Sequence, residues 1–186
     1  MFSTDADLFF LSPLTGLTTP NDFGVLYLLR RDINLCMGGS CQALWPAAMG
    51  MLAGVDLLAK FLEGSDATGK VRDRFRSFVG RFFGLNPTDQ EVLYQLRNAL
   101  LHSFGLYSKT PQGKVYRFFL TDDPAAVGLV SQKPGKPPGK YYIDLRALHR
   151  EFEKAVEAYR TALDSDSRLQ ANFAAMFVNY GRIHIG

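Results

Sequence analysis

Residues 43–62 read ALWPAAMGMLAGVDLLAKFL, and this run constrains the fold more than any other part of the chain. Wound as a helix it is apolar on nearly every side, so it must be covered almost all round. Its length matches a membrane span, but Asp56 and Lys60 interrupt it and Pro46 sits near its start. Charges inside a span are costly, so the run predicts the central helix of a helical bundle, with no membrane partner. Gly50 and Gly54 are four apart and let a second helix approach that face closely. Asp56 must be paired or protonated once buried. Arg97 and His102 are candidate partners, as are Arg30 and Arg31.

The 186 residues suffice for one domain with a sizeable core. Fifteen Phe and eight Tyr supply large side chains to fill it. A net charge of +3 permits nucleic acid as a partner without demanding it. The two cysteines, Cys36 and Cys41, lack a second ligand pair, which argues against zinc. They fit reduced thiols in a cytoplasmic protein better than a disulfide. The start, MFSTDADLFF, has no basic segment before an apolar run and so does not read as a signal peptide.

The expected architecture is mainly α, a single domain over 1–186. A helical core spans 21–104, a small antiparallel β-meander 114–143, and C-terminal helices 144–181. Asn21-Asp22 reads as a helix start and Gly38-Gly39 as its stop; Ser40 then opens the central helix. Residues 70–83 form an amphipathic helix whose basic residues make either a solvated face or a phosphate contact. Asn86-Pro87-Thr88-Asp89 sets up the next helix through capping and a first-turn proline. Runs 114–121, 127–132 and 140–143 read as short strands, and KPGKPPGK (133–140) as a basic hairpin loop. Residues 144–163 and 167–180 carry apolar side chains at helical spacing.

Within EVLYQLRNALLHSFGLY (91–107), Arg97, Asn98 and His102 interrupt an otherwise apolar helix. Imidazole moves protons near neutral pH, and guanidinium suits phosphate oxygens. Together they point toward a phosphodiester, whereas a satisfied polar helix edge is the plainer reading. Asn98 and His102 share one side with Gln95, while Arg97 lies roughly 140° from His102 about the axis. One straight helix therefore does not aim both at one spot. Tyr94 and Leu101 form a second apolar strip between them, which is sandwiched in the domain or packs on a second subunit. A twofold axis along that strip would bring Arg97 of one chain to His102 of the other. No metal-ligand spacing, glycine-rich phosphate loop or Gly-x-Ser-x-Gly elbow occurs.

Arg97-Asn98-Ala99-Leu100-Leu101-His102 resembles the signature of the HEPN superfamily (higher eukaryotes and prokaryotes nucleotide-binding). That signature is Arg, a polar residue, then His after four to six intervening positions. The region 21–104 looks like the family's helical core. The resemblance implies a HEPN-like bundle, a homodimer through the motif-bearing helices, and no cofactor. It also implies a metal-independent endoribonuclease with a composite Arg/His site. His102 would then transfer protons, Arg97 would stabilise the phosphate and Asn98 would orient either one, leaving a cyclic phosphate and a 5′-hydroxyl. RNA or a nucleotide is the implied partner. In toxin–antitoxin or defence settings a separate antitoxin-type protein is another. Relatives without cleavage imply the alternative, a non-catalytic RNA-binding, nucleotide-binding or protein-interaction module in which Arg97, Asn98, His102 and Asp56 are structural.

Overall fold

The computed structural model describes residues 4–11, 22–38, 43–122, 128–131 and 139–184. Asn21, Gly39, Ser40 and Cys41, parts of the strand expected over 127–132, and residues 133–138 of the basic loop expected over 133–140 lie outside them. The described elements run α1 (Thr4–Leu11), β1 (Asp22–Gly24), α2 (Val25–Gly38) and α3 (Leu44–Glu63). A single 3-10 turn (Thr68–Lys70) leads into α4 (Val71–Phe82) and α5 (Pro87–Ser103). Then come β2 (Tyr107–Lys109), β3 (Val115–Thr121), β4 (Val130–Ser131), β5 (Lys140–Asp144), α6 (Leu145–Leu163), α7 (Ser167–Tyr180) and β6 (Arg182–His184). The chain is mainly helical.

α3 is the axis of the bundle. It is long and apolar enough to cross a membrane by length and composition, yet it packs against α2, α4, α5, α6 and α7. Ala47, Ala48, Met51, Leu52, Val55, Leu58 and Phe61 are fully buried. Pro46 falls in the first turn, where its missing N–H would have no intrahelical partner anyway. Gly54 allows the closest approach: a Cβ there would lie 2.7 Å from the Phe152 ring of α6 and 3.2 Å from Leu29 of α2.

Local signals fix the other helices. Asn86 caps α5, its Oδ1 accepting from Thr88 N at 2.9 Å and Asp89 N at 3.0 Å, with Pro87 in the first turn. Asp144 caps α6 through Ala147 N at 2.7 Å, and Asp166 caps α7. α1 was not foreseen in the sequence. It drives Phe9 and Phe10 into an aromatic cluster with Phe61, Phe173 and Phe177, with Phe9 4.6 Å from Phe61 and 5.4 Å from Phe173 between ring centres.

Two expectations are corrected. Residues 22–24 are not helical but pair antiparallel with β6, matching Asp22 to His184; α2 starts only at Val25. Gly24 sits so close under α1 that a Cβ would overlap the Leu8 carbonyl. The sheet before the C-terminal helices is present, but it is not an antiparallel meander. Its order is β2-β3-β5-β4, and β3 and β5 run parallel. β4 lies at the far edge and pairs antiparallel with β5 rather than with β3. The parallel register sets Phe118 beside Tyr141. It buries Tyr116, Phe118, Tyr141 and Ile143 on one face, with the Tyr116 and Tyr141 rings stacked at 5.4 Å. That shared aromatic face favours the parallel pairing over a hairpin that sequence proximity alone would suggest.

Candidate active site

α5 lies between α3, α4 and the sheet, so its polar residues open toward two concavities. A cleft of about 800 Å³ is lined by Asp56, Lys60, Arg74 and Arg97 at its polar end, and by Leu28, Leu29, Ala53 and Leu57 among its apolar walls. A groove of about 560 Å³ on the other side is lined by Asn98, His102, Tyr94, Gln95, Tyr107 and Lys109, among others. Arg97 connects them.

The Arg97 guanidinium is divided between two tasks. Its Nε and Nη2 donate to Asp56 Oδ2 at 2.6 and 2.5 Å, tying α5 to α3. Its Nη1 donates to Asn98 Oδ1 at 3.0 Å and meets His102 Nε2 at 2.5 Å. Arginine can only donate. The contact therefore requires Nε2 of His102 to accept, leaving the ring proton on Nδ1.

This corrects the geometric expectation that Arg97 and His102 diverge within one chain. The angular separation on the helix holds, but two reaches close it. Helical side chains lean back over the preceding turn, and the long arginine side chain reaches His102 Nε2. A second subunit is not needed for their convergence.

Asp56 and Arg97 are mostly buried, with 16% and 12% of their side chains exposed. Burial pushes the Asp56 carboxyl above its ordinary range, and the Arg97 charge and hydrogen bond only partly oppose this. Arg30 and Arg31, the other candidate partners, are engaged elsewhere. Arg30 binds Glu153 and Glu157, and Arg31 binds Asp32.

The groove beside His102 has a linked polar floor. Arg72 Nη2 donates to Glu91 Oε2 at 2.8 Å, Gln95 Nε2 to Glu91 Oε1 at 2.9 Å, and Ser108 Oγ to Gln95 Oε1 at 2.6 Å. This chain fixes β2 against α5. Gln95 was legible in the sequence as a neighbour of Asn98 and His102; Ser108 was not, because strand pairing alone brings it there. Lys60, four residues beyond Asp56 on α3, was legible only as an interruption of the apolar run, and Arg74 escaped notice because nothing local sets it beside Asp56. Lys60 Nζ lies 4.2 Å over the Tyr180 ring, and the Tyr180 hydroxyl donates to Asp66 Oδ2 at 2.5 Å. That bond lowers the Asp66 carboxyl and raises the Tyr180 phenol.

Other expectations resolve as follows. Tyr94 packs on Phe75 of α4 at 5.8 Å and is half-buried, so this half of the second apolar strip is partly covered within the domain. Leu101 is half-buried. On α4, Arg72 and Arg76 face Glu91, Arg74 is buried and donates to Ala67 O, and Arg81 faces Asp166. Each of those four arginines thus has a protein partner in the structure. His149 sits near Glu153, and His184 pairs with Asp22, both away from the α5 cluster. Among the described residues, no group of three or more His, Cys, Asp or Glu side chains is placed to hold a metal ion.

α5 ends at Phe104 in the left-handed conformation, φ 46°, the one positive-φ residue other than glycine among the described residues. Such a position normally carries glycine. Here it holds a ring that is 72% exposed, two residues beyond His102.

No protein-family model matches this chain, and no curated protein or solved structure matches it.

Proposed function

We propose that this chain is a HEPN-like endoribonuclease whose site is the Arg97–Asn98–His102 cluster. The observation that carries the reading is the division of the Arg97 guanidinium. Asp56 holds Nε and Nη2, which leaves Nη1 facing Asn98 and an accepting His102 nitrogen at the edge of an open groove. A phosphate oxygen entering between Arg97 and His102 would take the Nη1 bond and free Nε2 to act as a base.

His102 then accepts the proton of a ribose 2′-hydroxyl as its oxygen attacks phosphorus. Arg97 stabilises the charge that builds on the phosphate oxygens. The imidazolium returns its proton to the departing 5′-oxygen, giving a 2′,3′-cyclic phosphate and a 5′-hydroxyl. The residues themselves supply both acid–base and electrostatic assistance, so the reading includes cleavage in chelator. A homodimer through the half-buried Leu101 side of α5 would set two such clusters side by side rather than complete one.

The test is cleavage of single-stranded RNA in chelator by wild type, Arg97→Ala and His102→Ala, with circular dichroism to confirm folding. Wild type should yield cyclic-phosphate ends, and each variant should lose at least a hundredfold in rate. Cleavage by both variants at the wild-type rate overturns the proposal.

A second reading has its own support. The double hydrogen bond from Arg97 to one mostly buried Asp56 oxygen is what a structural tie between α3 and α5 requires. In that reading the cluster belongs to a non-catalytic RNA-binding, nucleotide-binding or interaction module. It expects no cleavage by wild type and a lowered melting temperature for Arg97→Ala.

A further inference from the structure

We infer that the outer face of the four-stranded sheet is a stacking platform for single-stranded RNA that leads into the His102 groove. The inference deepens the proposed ribonuclease reading and rests on it for the chemistry, but not for the binding.

Strand alternation sends Tyr116, Phe118, Tyr141 and Ile143 into the core, so the intervening residues share the opposite face. Register places Tyr107 opposite Arg117, and Arg117 opposite Lys140. In the next row Phe119 lies opposite Tyr142. Lys109 lies further along β2 on the same face as Tyr107. Tyr107 is 48% exposed and Phe119 40%, which is unusual for large rings on ordered strands.

The Phe119 and Tyr142 rings lie 5.0 Å apart and 20° from parallel, an aromatic pair stacked across the two strands. Lys140 Nζ sits 5.9 Å over the Phe119 ring. Aromatic surface interleaved with cations suits bases and phosphates together: rings stack bases of any sequence, and cations follow the backbone. The row beyond contains Asp144, but that side chain is buried and turned to cap α6, so it does not oppose an anionic strand.

Continuity with the groove gives the platform its direction. Tyr107 and Lys109 belong both to this face and to the lining of the groove that holds Asn98 and His102. A strand stacked on Phe119 and Tyr142 and passing Arg117 meets Tyr107 next, and then His102. A duplex has its bases already stacked and paired and gains nothing from the exposed rings, so the substrate class is unpaired RNA.

The experiment is fluorescence anisotropy with a labelled, 2′-O-methylated RNA of about ten nucleotides, long enough to span one such face. The modification blocks cleavage, so binding is read alone. Phe119→Ala/Tyr142→Ala should weaken binding about tenfold or more, as loss of base–aromatic stacking does elsewhere. Arg117→Glu should weaken it and flatten its salt dependence, whereas Phe119→Tyr and the α6 surface change Lys154→Ala should bind as wild type does. A folded double variant with unchanged affinity overturns the platform, as does a duplex binding as tightly as the single strand. So does a double variant that sediments as a smaller species than wild type, because a second copy would then cover the face. Binding without cleavage of unmodified RNA leaves the platform standing and removes the ribonuclease reading. Cleavage and binding that ignore the double variant do the reverse.

Discussion

Arg97 grips a single carboxylate oxygen of Asp56 with two of its nitrogens while its third nitrogen faces His102. The pair therefore carries both a structural load and the orientation of the candidate site. Removing Arg97 strands a mostly buried carboxylate. Arg97→Ala should cost about 2–3 kcal/mol near neutral pH, somewhat below the value for a fully buried pair, measured by urea unfolding.

The same pair gives a pH dependence of definite sign. The folded-state pKa of Asp56 is raised, so its contribution to stability is fully present below the unfolded carboxylate range and is lost as pH rises through the raised pKa. Arg97 lowers that pKa, so removing it should raise it further and widen the window. The stability deficit of Arg97→Ala should accordingly shrink as pH falls toward the ordinary carboxylate range. A deficit that stays constant across that range counts against the assignment.

Replacing Arg97 by lysine keeps the charge but loses the divided geometry. One ammonium cannot hold Asp56 with two bonds and reach both Asn98 and His102. Under the proposed chemistry, Arg97→Lys should lose roughly tenfold or more in cleavage rate while remaining more stable than Arg97→Ala. Parallel rate and melting measurements separate the two effects.

Gly54 lets α3 touch the Phe152 ring. Alanine favours a helix over glycine by roughly 0.5–1 kcal/mol, yet overpacking costs about 1–3 kcal/mol. Because the obstructing atoms belong to a ring buried on α6, the second effect should win. Gly54→Ala should lower the melting temperature.

At Phe104 the balance runs the other way. An exposed residue in the left-handed region carries roughly 1 kcal/mol of strain that glycine would relieve. Phe104→Gly should stabilise the chain by about that amount in urea unfolding. If cleavage falls at the same time, the ring acts beside the groove.

The helices were legible in the sequence because their signals are local. The Asn86-Pro87 start, the Asp144 cap and the apolar spacing of 144–163 act within a turn or two of where they are written. α1 was missed since eight residues show too little periodicity to stand out, and only the distant Phe61 and Phe173 give Phe9 a place. The parallel β3–β5 pairing was missed for a related reason: strand partners are chosen by which rings can be buried together, and proximity in sequence pointed to a hairpin instead. At the candidate site the residue types were readable, and Arg97 was one of four candidate partners for Asp56, from which the fold selects it. The meeting of Arg97 with His102 was not readable, since helical angles locate Cβ atoms and not the end of an arginine.

The burial of α3 has a consequence for how the chain reaches this state. Until α2, α4, α5, α6 and α7 have all docked, a 20-residue apolar helix is left with open sides. Elements from both halves of the chain are required, so no early segment can shield it alone. Partly folded molecules should be sticky, and refolding yield should fall steeply with protein concentration even though the finished fold hides the cause.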